Sequence, residues 1–246
     1  MYQLKELFEQ KTSNVIREIS PNDSMYVTEE HYFSVGHSAL KCIKLAMLAA
    51  GKEDFKNILD LPCGHGRVLR MLKAAFSKAQ ITACDLDRDA VDYCAKVFGA
   101  TPVYSKKQPD QIAIQGKFDL IWCGSLLTHL KSSYWGSFLN LFNSLLCPGG
   151  LLIFSTQGRC SIHWIRSGIC TYDLDSTQLS ILLDGWERNG FGYVDYLNMN
   201  DYGVSVSSLA WVLLQLEKLP DVRLLTVTEM GWDNHQDVIA CVRVET

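Results

Sequence analysis

The residues best placed to do chemistry lie in the run LDLPCGHGRV, residues 59–68. An apolar strand there gives way to a glycine-containing turn and then to a helix. Small residues in such a turn let the backbone approach a ligand, and the start of the helix offers unpaired N–H groups. Asp85 closes the next apolar run, nineteen residues after Gly66. An acid at that point can accept hydrogen bonds from both hydroxyls of a ribose. Turn and acid together predict a nucleoside site. A dinucleotide site prefers a third glycine where Leu69 stands, which turns the reading away from nicotinamide cofactors.

Six histidines occur, at 31, 37, 65, 129, 163 and 235. Histidine is the side chain best suited to general-base work near neutrality. His65 lies inside the turn and is expected to pack beside the ligand. His129 follows the fourth expected strand, and His163 follows the fifth. His235 sits in the polar cluster GWDNHQDV (231–238), where a neighbouring aspartate could orient and charge it. His129 and His235 are the two candidate bases. Their plainer alternatives are a packing or capping histidine for the first and a polar hairpin turn for the second. Nine cysteines show no CxxC and no zinc spacing, so no metal is expected.

These residues need elements to position them. Apolar runs predict strands over 57–61, 80–84, 101–104, 118–123 and 151–155. Helical periodicity runs over 37–50, 67–76, 88–98 and 134–146, with Gly51 and Gly99 as stops and 147–150 as a Pro-Gly turn. A short amphipathic helix and a polar link precede them, ending at 20–24. After 156 a loop carrying Arg159, His163, Trp164 and Arg166 leads to a helix at 176–189, capped by Asp175 and stopped by Gly190. A strand at 191–197, a helix at 207–218 and two strands, 222–229 and 238–244, complete the chain. The alternation predicts an α/β fold: a doubly wound, mostly parallel seven-stranded sheet with an antiparallel C-terminal hairpin and helices on both faces. Ligands in such sheets bind beyond the carboxyl ends of the strands. One domain is expected over 1–246, with 1–50 as a cap and 158–205 as a substrate-side insertion.

The motifs in this order resemble the class I S-adenosylmethionine-dependent methyltransferases. LDLPCGHGRV is similar to the family's first motif and CDLDRDAV (84–91) to the acid-bearing second. FDLIWCGSLLTHL (118–130) resembles the fourth-strand motif, and LLCPGGLLIFST (145–156) the proline-glycine turn with the fifth strand. The resemblance covers about residues 57–156. It implies that Asp60, Gly64 and Gly66 line the methionine part of the cofactor, with Cys63 and Gly64 supplying the close approach, and that Asp85 holds the ribose. Leu86 would pack on the adenine, while Ser125 and Leu126 would run along the cofactor. Tyr32 and Gly36, in YFSVG, resemble the cap over the methionine carboxylate. Two departures stand out. Pro62 replaces the motif's first glycine and stiffens the turn. Ser105 occupies the place of an acid after the third strand, which leaves the adenine amino group to Ser105, to a backbone carbonyl or to no direct partner.

Bulk composition sets the remaining bounds. The chain has 246 residues, 48% of them hydrophobic and 20% charged, with a net charge of −4. That is an ordinary globular composition, and it argues against a nucleic-acid surface built on bulk charge. No DPPY-like run occurs, which sets the amino-methylating DNA enzymes aside. No apolar run approaches the roughly 20 residues of a membrane helix. The N-terminal run MYQLKELFEQKTSN lacks the pattern of a signal peptide, and the cysteines read as reduced thiols in a cytoplasmic setting. The resemblance implies S-adenosyl-L-methionine as cofactor and S-adenosyl-L-homocysteine as product. The expected acceptor is a hydroxyl, or less readily an amine, of a small molecule or saccharide, handled by a monomer or homodimer. The C-terminal third loosely resembles methyltransferases of bacterial glycan and secondary-metabolite pathways. The competing reading is a non-catalytic S-adenosylmethionine- or S-adenosylhomocysteine-binding module of a larger assembly. A nucleotide-sugar or dinucleotide oxidoreductase stands third, since it also lacks a Tyr/Lys pair.

Overall fold

The computed structural model describes residues 14–244. The expected N-terminal amphipathic helix falls mainly on residues 1–13, outside the described residues. The first element described is α1 (Glu29–Ala50), capped by the Thr28 hydroxyl and closed by Gly51 in the left-handed conformation. It starts eight residues earlier than the periodicity suggests, because Tyr32, Phe33 and Val35 also face the core. Strands and helices then alternate as β1 (Asn57–Asp60), α2 (Leu69–Ala75), β2 (Gln80–Asp85), α3 (Arg88–Phe98), β3 (Thr101–Tyr104), β4 (Phe118–Cys123), α4 (Ser132–Leu145) and β5 (Leu146–Thr156).

Seven strands form one sheet. In chain-order labels, with β8 (Val222–Trp232) and β9 (Gln236–Arg243) as the last two, its order is β3-β2-β1-β4-β5-β9-β8. The first five are mutually parallel. β9 runs antiparallel to β5 and to β8. Successive residues of the central strands feed opposite layers: Ile58, Trp122 and Ile153 pack with α1 and α2 on one face, and Leu59, Ile121 and Leu152 with α4 on the other. Both faces are covered, which is why these runs read as continuously apolar.

Three segments differ from the sequence expectation. Residues 147–150 are not a free turn but the start of β5. Leu146 pairs with Phe118 and Leu151 with Leu120, so the Pro-Gly-Gly residues form the excess of a bulge. The loop expected after β5 is the helix α5 (Arg159–Arg166). After α6 (Ser176–Asn189), β6 (Phe191–Asp195) finds a partner that the sequence reading lacks, β7 (Gly203–Ser207), in a separate two-stranded sheet. The helix α7 (Leu209–Leu216) then leads into the hairpin.

Gly36 has a packing role in this frame. A Cβ there would meet the Arg67 carbonyl oxygen at 2.6 Å and Met71 Cγ at 3.0 Å, so glycine lets α1 rest on the start of α2. Gly36→Ala should therefore destabilise the protein by about 1–3 kcal/mol, the usual cost of overpacking. Urea unfolding checks this, and an unchanged midpoint would refute the close approach.

Candidate functional site

The strand order reverses between β1 and β4, and a cavity of about 510 Å³ opens beyond their carboxyl ends. One wall is the turn after β1. Leu61 N–H donates to the Trp122 carbonyl at 3.0 Å and Cys63 N–H to the Cys84 carbonyl at 3.0 Å, so the turn is tied to both neighbouring strands. Gly64 N–H donates to Asp85 Oδ2 at 2.8 Å, and Asp87 N–H to Asp85 Oδ1 at 3.0 Å. Asp85 thus clamps the turn it faces. Burial pushes its pKa up, and the N–H bonds oppose that shift. Gly64 has φ +47° and open space where a Cβ would stand, whereas a Cβ on Gly66 would meet the Phe98 ring at 2.5 Å. The first glycine serves the ligand side and the second the packing against α3.

Most of the expected cofactor residues share this cavity: Pro62, Cys63, Gly64, Asp85, Leu86, Ser125 and Leu126 line it, as do Ser105 and His65. Leu86 is 55% exposed beside the Asp85 carboxylate, an apolar face open to a flat ring. Ser125, at φ +61°, is fixed by a closed set of bonds. Its N–H donates to Ser155 Oγ at 2.7 Å, Ser155 Oγ donates to Gln236 Oε1 at 2.6 Å, and Gln236 Nε2 donates to Ser125 Oγ at 3.0 Å.

Four expected cofactor residues, Asp60, Tyr32, Gly36 and the packing glycine Gly66, do not line the cavity. Asp60 is buried and both its carboxylate oxygens lack a partner among the described residues. Burial, and then the charge of Asp85, raise its pKa well above the ordinary value. Tyr32 lies in the core and donates its hydroxyl to Asp23 Oδ2 at 2.6 Å; it is Asp23 that reaches the wall. Gly36 is the packing glycine already described.

A second chamber of about 230 Å³ adjoins the first, sharing Met25, Arg67, Ser125, His129 and Trp232 with it. Both candidate bases face it. β9 pairs antiparallel with β5, Thr156 against Asp237, so the hairpin turn that carries His235 stands at the carboxyl end of β5. The two histidines nevertheless differ. His129 Nδ1 is 2.8 Å from the Gly203 carbonyl oxygen. A carbonyl only accepts, so Nδ1 carries the proton and Nε2 of the neutral ring is an acceptor. Its ring stacks on Tyr202 at 4.8 Å, and burial lowers its pKa. His235 Nε2 is engaged by the Tyr172 hydroxyl at 2.6 Å. Its neighbouring acids do not hold it: Asp233 pairs with His31 at 3.2 Å, and Asp237 accepts from Met230 N–H at 2.9 Å. His65 pairs with Asp89 at 3.0 Å, and His163 lines neither chamber.

The sequence reading missed Arg67 and Gln157. Arg67 directly follows the glycine turn and lines both chambers. Burial lowers its pKa while Tyr32, Asp23 and Asp233 raise it, and it makes no ion pair among the described residues. Its place beside the motif was the available signal. Gln157 lies in ordinary loop sequence with none. Among the described residues no cluster of three His, Cys, Asp or Glu could hold a metal, and no helix is long and apolar enough to cross a membrane.

Comparisons with known proteins agree with this geometry. Residues 59–152 match the family described as Methyltransferase domain. Over 139 residues the chain is 31% identical to the ribosomal protein L11 methyltransferase of Helicobacter pylori (strain Shi470), covering 54% of this chain and 42% of that protein. Over 134 residues it is 26% identical to the malonyl-acyl-carrier-protein O-methyltransferase 2 of Ilyobacter polytropus, covering 54% and 51%. The chain thus spans about half the length of these curated relatives. Streptomyces venezuelae DesVI shares the fold with a TM-score of 0.58 at 14% identity, over 86% of this chain and 93% of that one. The Burkholderia thailandensis 1,6-didemethyltoxoflavin-N1-methyltransferase, solved with S-adenosylhomocysteine, gives a TM-score of 0.57 at 14% identity, over 92% and 95%. Residues 59–152 thus match a methyltransferase domain, and the chain shares the Rossmann-like fold of these S-adenosylmethionine-dependent enzymes.

The two acids at the sheet edge give separate tests. Asp85→Ala removes an acceptor and the clamp on Gly64, and should weaken S-adenosylhomocysteine binding by about 1–3 kcal/mol in calorimetry. Undiminished affinity would remove Asp85 from the site. Asp60 keeps its proton in the folded state to higher pH than in the unfolded chain, so it costs stability progressively as pH rises above its ordinary value of 3.8. Asp60→Asn abolishes that dependence. The melting temperature of the variant relative to wild type should rise as pH increases above about 4, where the unfolded carboxyl has ionised and the folded one has not; a flat difference would contradict the shift.

Proposed function

We propose that this chain transfers the methyl group of S-adenosylmethionine to a hydroxyl of a small molecule or saccharide. The observation that carries this reading is His129, with Nδ1 locked to the Gly203 carbonyl and Nε2 without a partner among the described residues, where the two chambers meet. The cofactor supplies an activated methyl on a positive sulfur, so the protein's tasks are alignment, proton removal and exclusion of water.

The residues fit that cofactor. Asp85 faces the cavity with acceptor oxygens for ribose hydroxyls, and Leu86 offers an apolar face to adenine. Arg67, charged and without an ion partner among the described residues, suits the methionine carboxylate. Ser125 and Leu126 continue the wall toward the second chamber. A hydroxyl held there donates to His129 Nε2 and loses its proton to it as the oxygen is methylated. The bond to Gly203 keeps the ring in the accepting tautomer throughout. His235 has its Nε2 engaged by Tyr172 and acts by holding that phenol in the wall.

Two variants test the assignment. His129→Ala should lower kcat by about 10²–10⁴-fold, the usual worth of a positioned base, while S-adenosylhomocysteine still binds. His235→Ala should cost less. The acid limb of the wild-type profile should lie below the ordinary histidine pKa, because burial of His129 favours its neutral, basic form. Methyl-transfer assays with labelled cofactor over acceptor hydroxyls and amines read all three. Unchanged turnover in His129→Ala would end its role as base.

A further inference from the structure

The second chamber holds a polar group that the mechanism above does not use. Gln157 directly follows β5 and is 3% exposed, yet its Oε1 has no hydrogen-bond partner among the described residues, and none of them bonds its side chain. A buried amide without a partner costs free energy that a ligand can recover. Gln157 lines the same chamber as His129. Both are fastened to one short strand: the Gln157 carbonyl accepts from Ser207 N–H at 2.8 Å, and His129 Nδ1 donates to the Gly203 carbonyl. β7 therefore sets the base and the amide at a fixed separation. The other walls are largely flat rings, with Tyr172, Tyr196, Trp232 and His235 around a volume of about 230 Å³, room for one ring system.

Resting on the methyl-transfer reading, we propose that the acceptor is a hydroxylated aromatic ring whose second hydroxyl is held by the Gln157 amide while His129 takes the proton of the first. The amide can both donate and accept, as a hydroxyl can, so each satisfies the other. The base supports an aromatic acceptor over a sugar. Burial makes His129 a weaker base than a free imidazole. A phenol, with a pKa of about 10, gives up its proton to such a base far more readily than an alkanol, whose acidity is near that of water at about 15.7. In the step, the phenol O–H bond breaks and its proton passes to His129 Nε2. The oxygen electron pair forms the O–CH₃ bond while the S–CH₃ bond breaks, its pair staying on sulfur. The products are an aryl methyl ether, a neutral thioether and a protonated histidine, so the positive charge moves from sulfur to the ring.

The test measures methyl transfer by the full chain to catechol, resorcinol and hydroquinone, to phenol, and to methyl α-D-glucopyranoside, with S-adenosylhomocysteine binding measured alongside. At least one of the three diols should show kcat/KM tenfold or more above phenol, with the glucoside inert. Gln157→Leu and the closer-shaped Gln157→Met should erase that advantage through a raised KM, with S-adenosylhomocysteine binding kept as the control for folding. Phenol used as well as every diol, a preference that survives in both variants, or methylation of the glucoside alone would overturn the inference, and the last would leave hydroxyl methylation standing. No turnover of any aromatic by protein that binds S-adenosylhomocysteine would also overturn it. Failure to bind S-adenosylhomocysteine would instead sink the methyl-transfer reading on which it rests.

Discussion

Parallel pairing of β1 with both β2 and β4 is the constraint on which the site depends. Asp60 is in register with Ala83 on one side and Trp122 on the other, so the chain must leave three adjacent strands at one edge of the sheet. The loops there cannot stay independent, because their backbone groups are drawn away from water and need partners. The structure resolves this by cross-bonding. Leu61 and Cys63 donate to carbonyls of the flanking strands, and Gly64 donates to the Asp85 side chain. The same bonds that satisfy the turn therefore shape the cavity wall, and Asp85 clamps the turn and faces the cavity with one carboxylate.

The small sheet extends this logic to the acceptor side. β7 spans only Gly203–Ser207; it pairs with β6 along its length and makes further polar bonds outside its own sheet. Gly203 accepts from His129, Ser205 Oγ donates to the Leu127 carbonyl at 2.7 Å, and Ser207 N–H donates to the Gln157 carbonyl. An isolated two-stranded sheet is marginal in water, so these bonds and the apolar pack of Ile162, Ile165, Leu182, Val204 and Val206 hold it in place. The sheet thus links the loop after β4 with the end of β5.

The legible parts of the sequence were those in which local pattern and tertiary demand coincide. The helix over 88–98 has an Asp87 cap and a Gly99 stop, and the helix over 176–189 has a complete capping box with Gln178; both appear with the expected bounds. The convergence of the turn after β1 and Asp85 on one cavity was legible because both close adjacent parallel strands at the same edge of the sheet. β7 was not, although GVSVS alternates with period two, since five residues between polar turns resemble a loop until their partner is known. Tyr32 was misplaced because an aromatic near a site has two ways to serve it, and here it positions Asp23 from behind. The split between His129 and His235 was beyond reach, as it depends on which ring nitrogen meets a carbonyl 74 residues away and which meets a phenol 63 residues away.

Burial gives the junction of the chambers its electrical character. Several titratable groups at or beneath it are pushed toward their uncharged forms: Asp60 upward, His129 and His235 downward, Tyr172 upward and Tyr196 up to about 12. The cause is common, since removing a charge from water costs more than the protein here returns. Burial lowers the pKa of Arg67 in the same way, against the opposing effect of Tyr32, Asp23 and Asp233, yet its guanidinium stays cationic. Burial also keeps water from screening that guanidinium, so it acts strongly on an anion that enters. It also leaves His129 uncharged and able to accept a proton at neutral pH. The same desolvation that makes the imidazole available makes it a modest base, so proton transfer depends as much on the acidity of the bound hydroxyl as on the histidine itself.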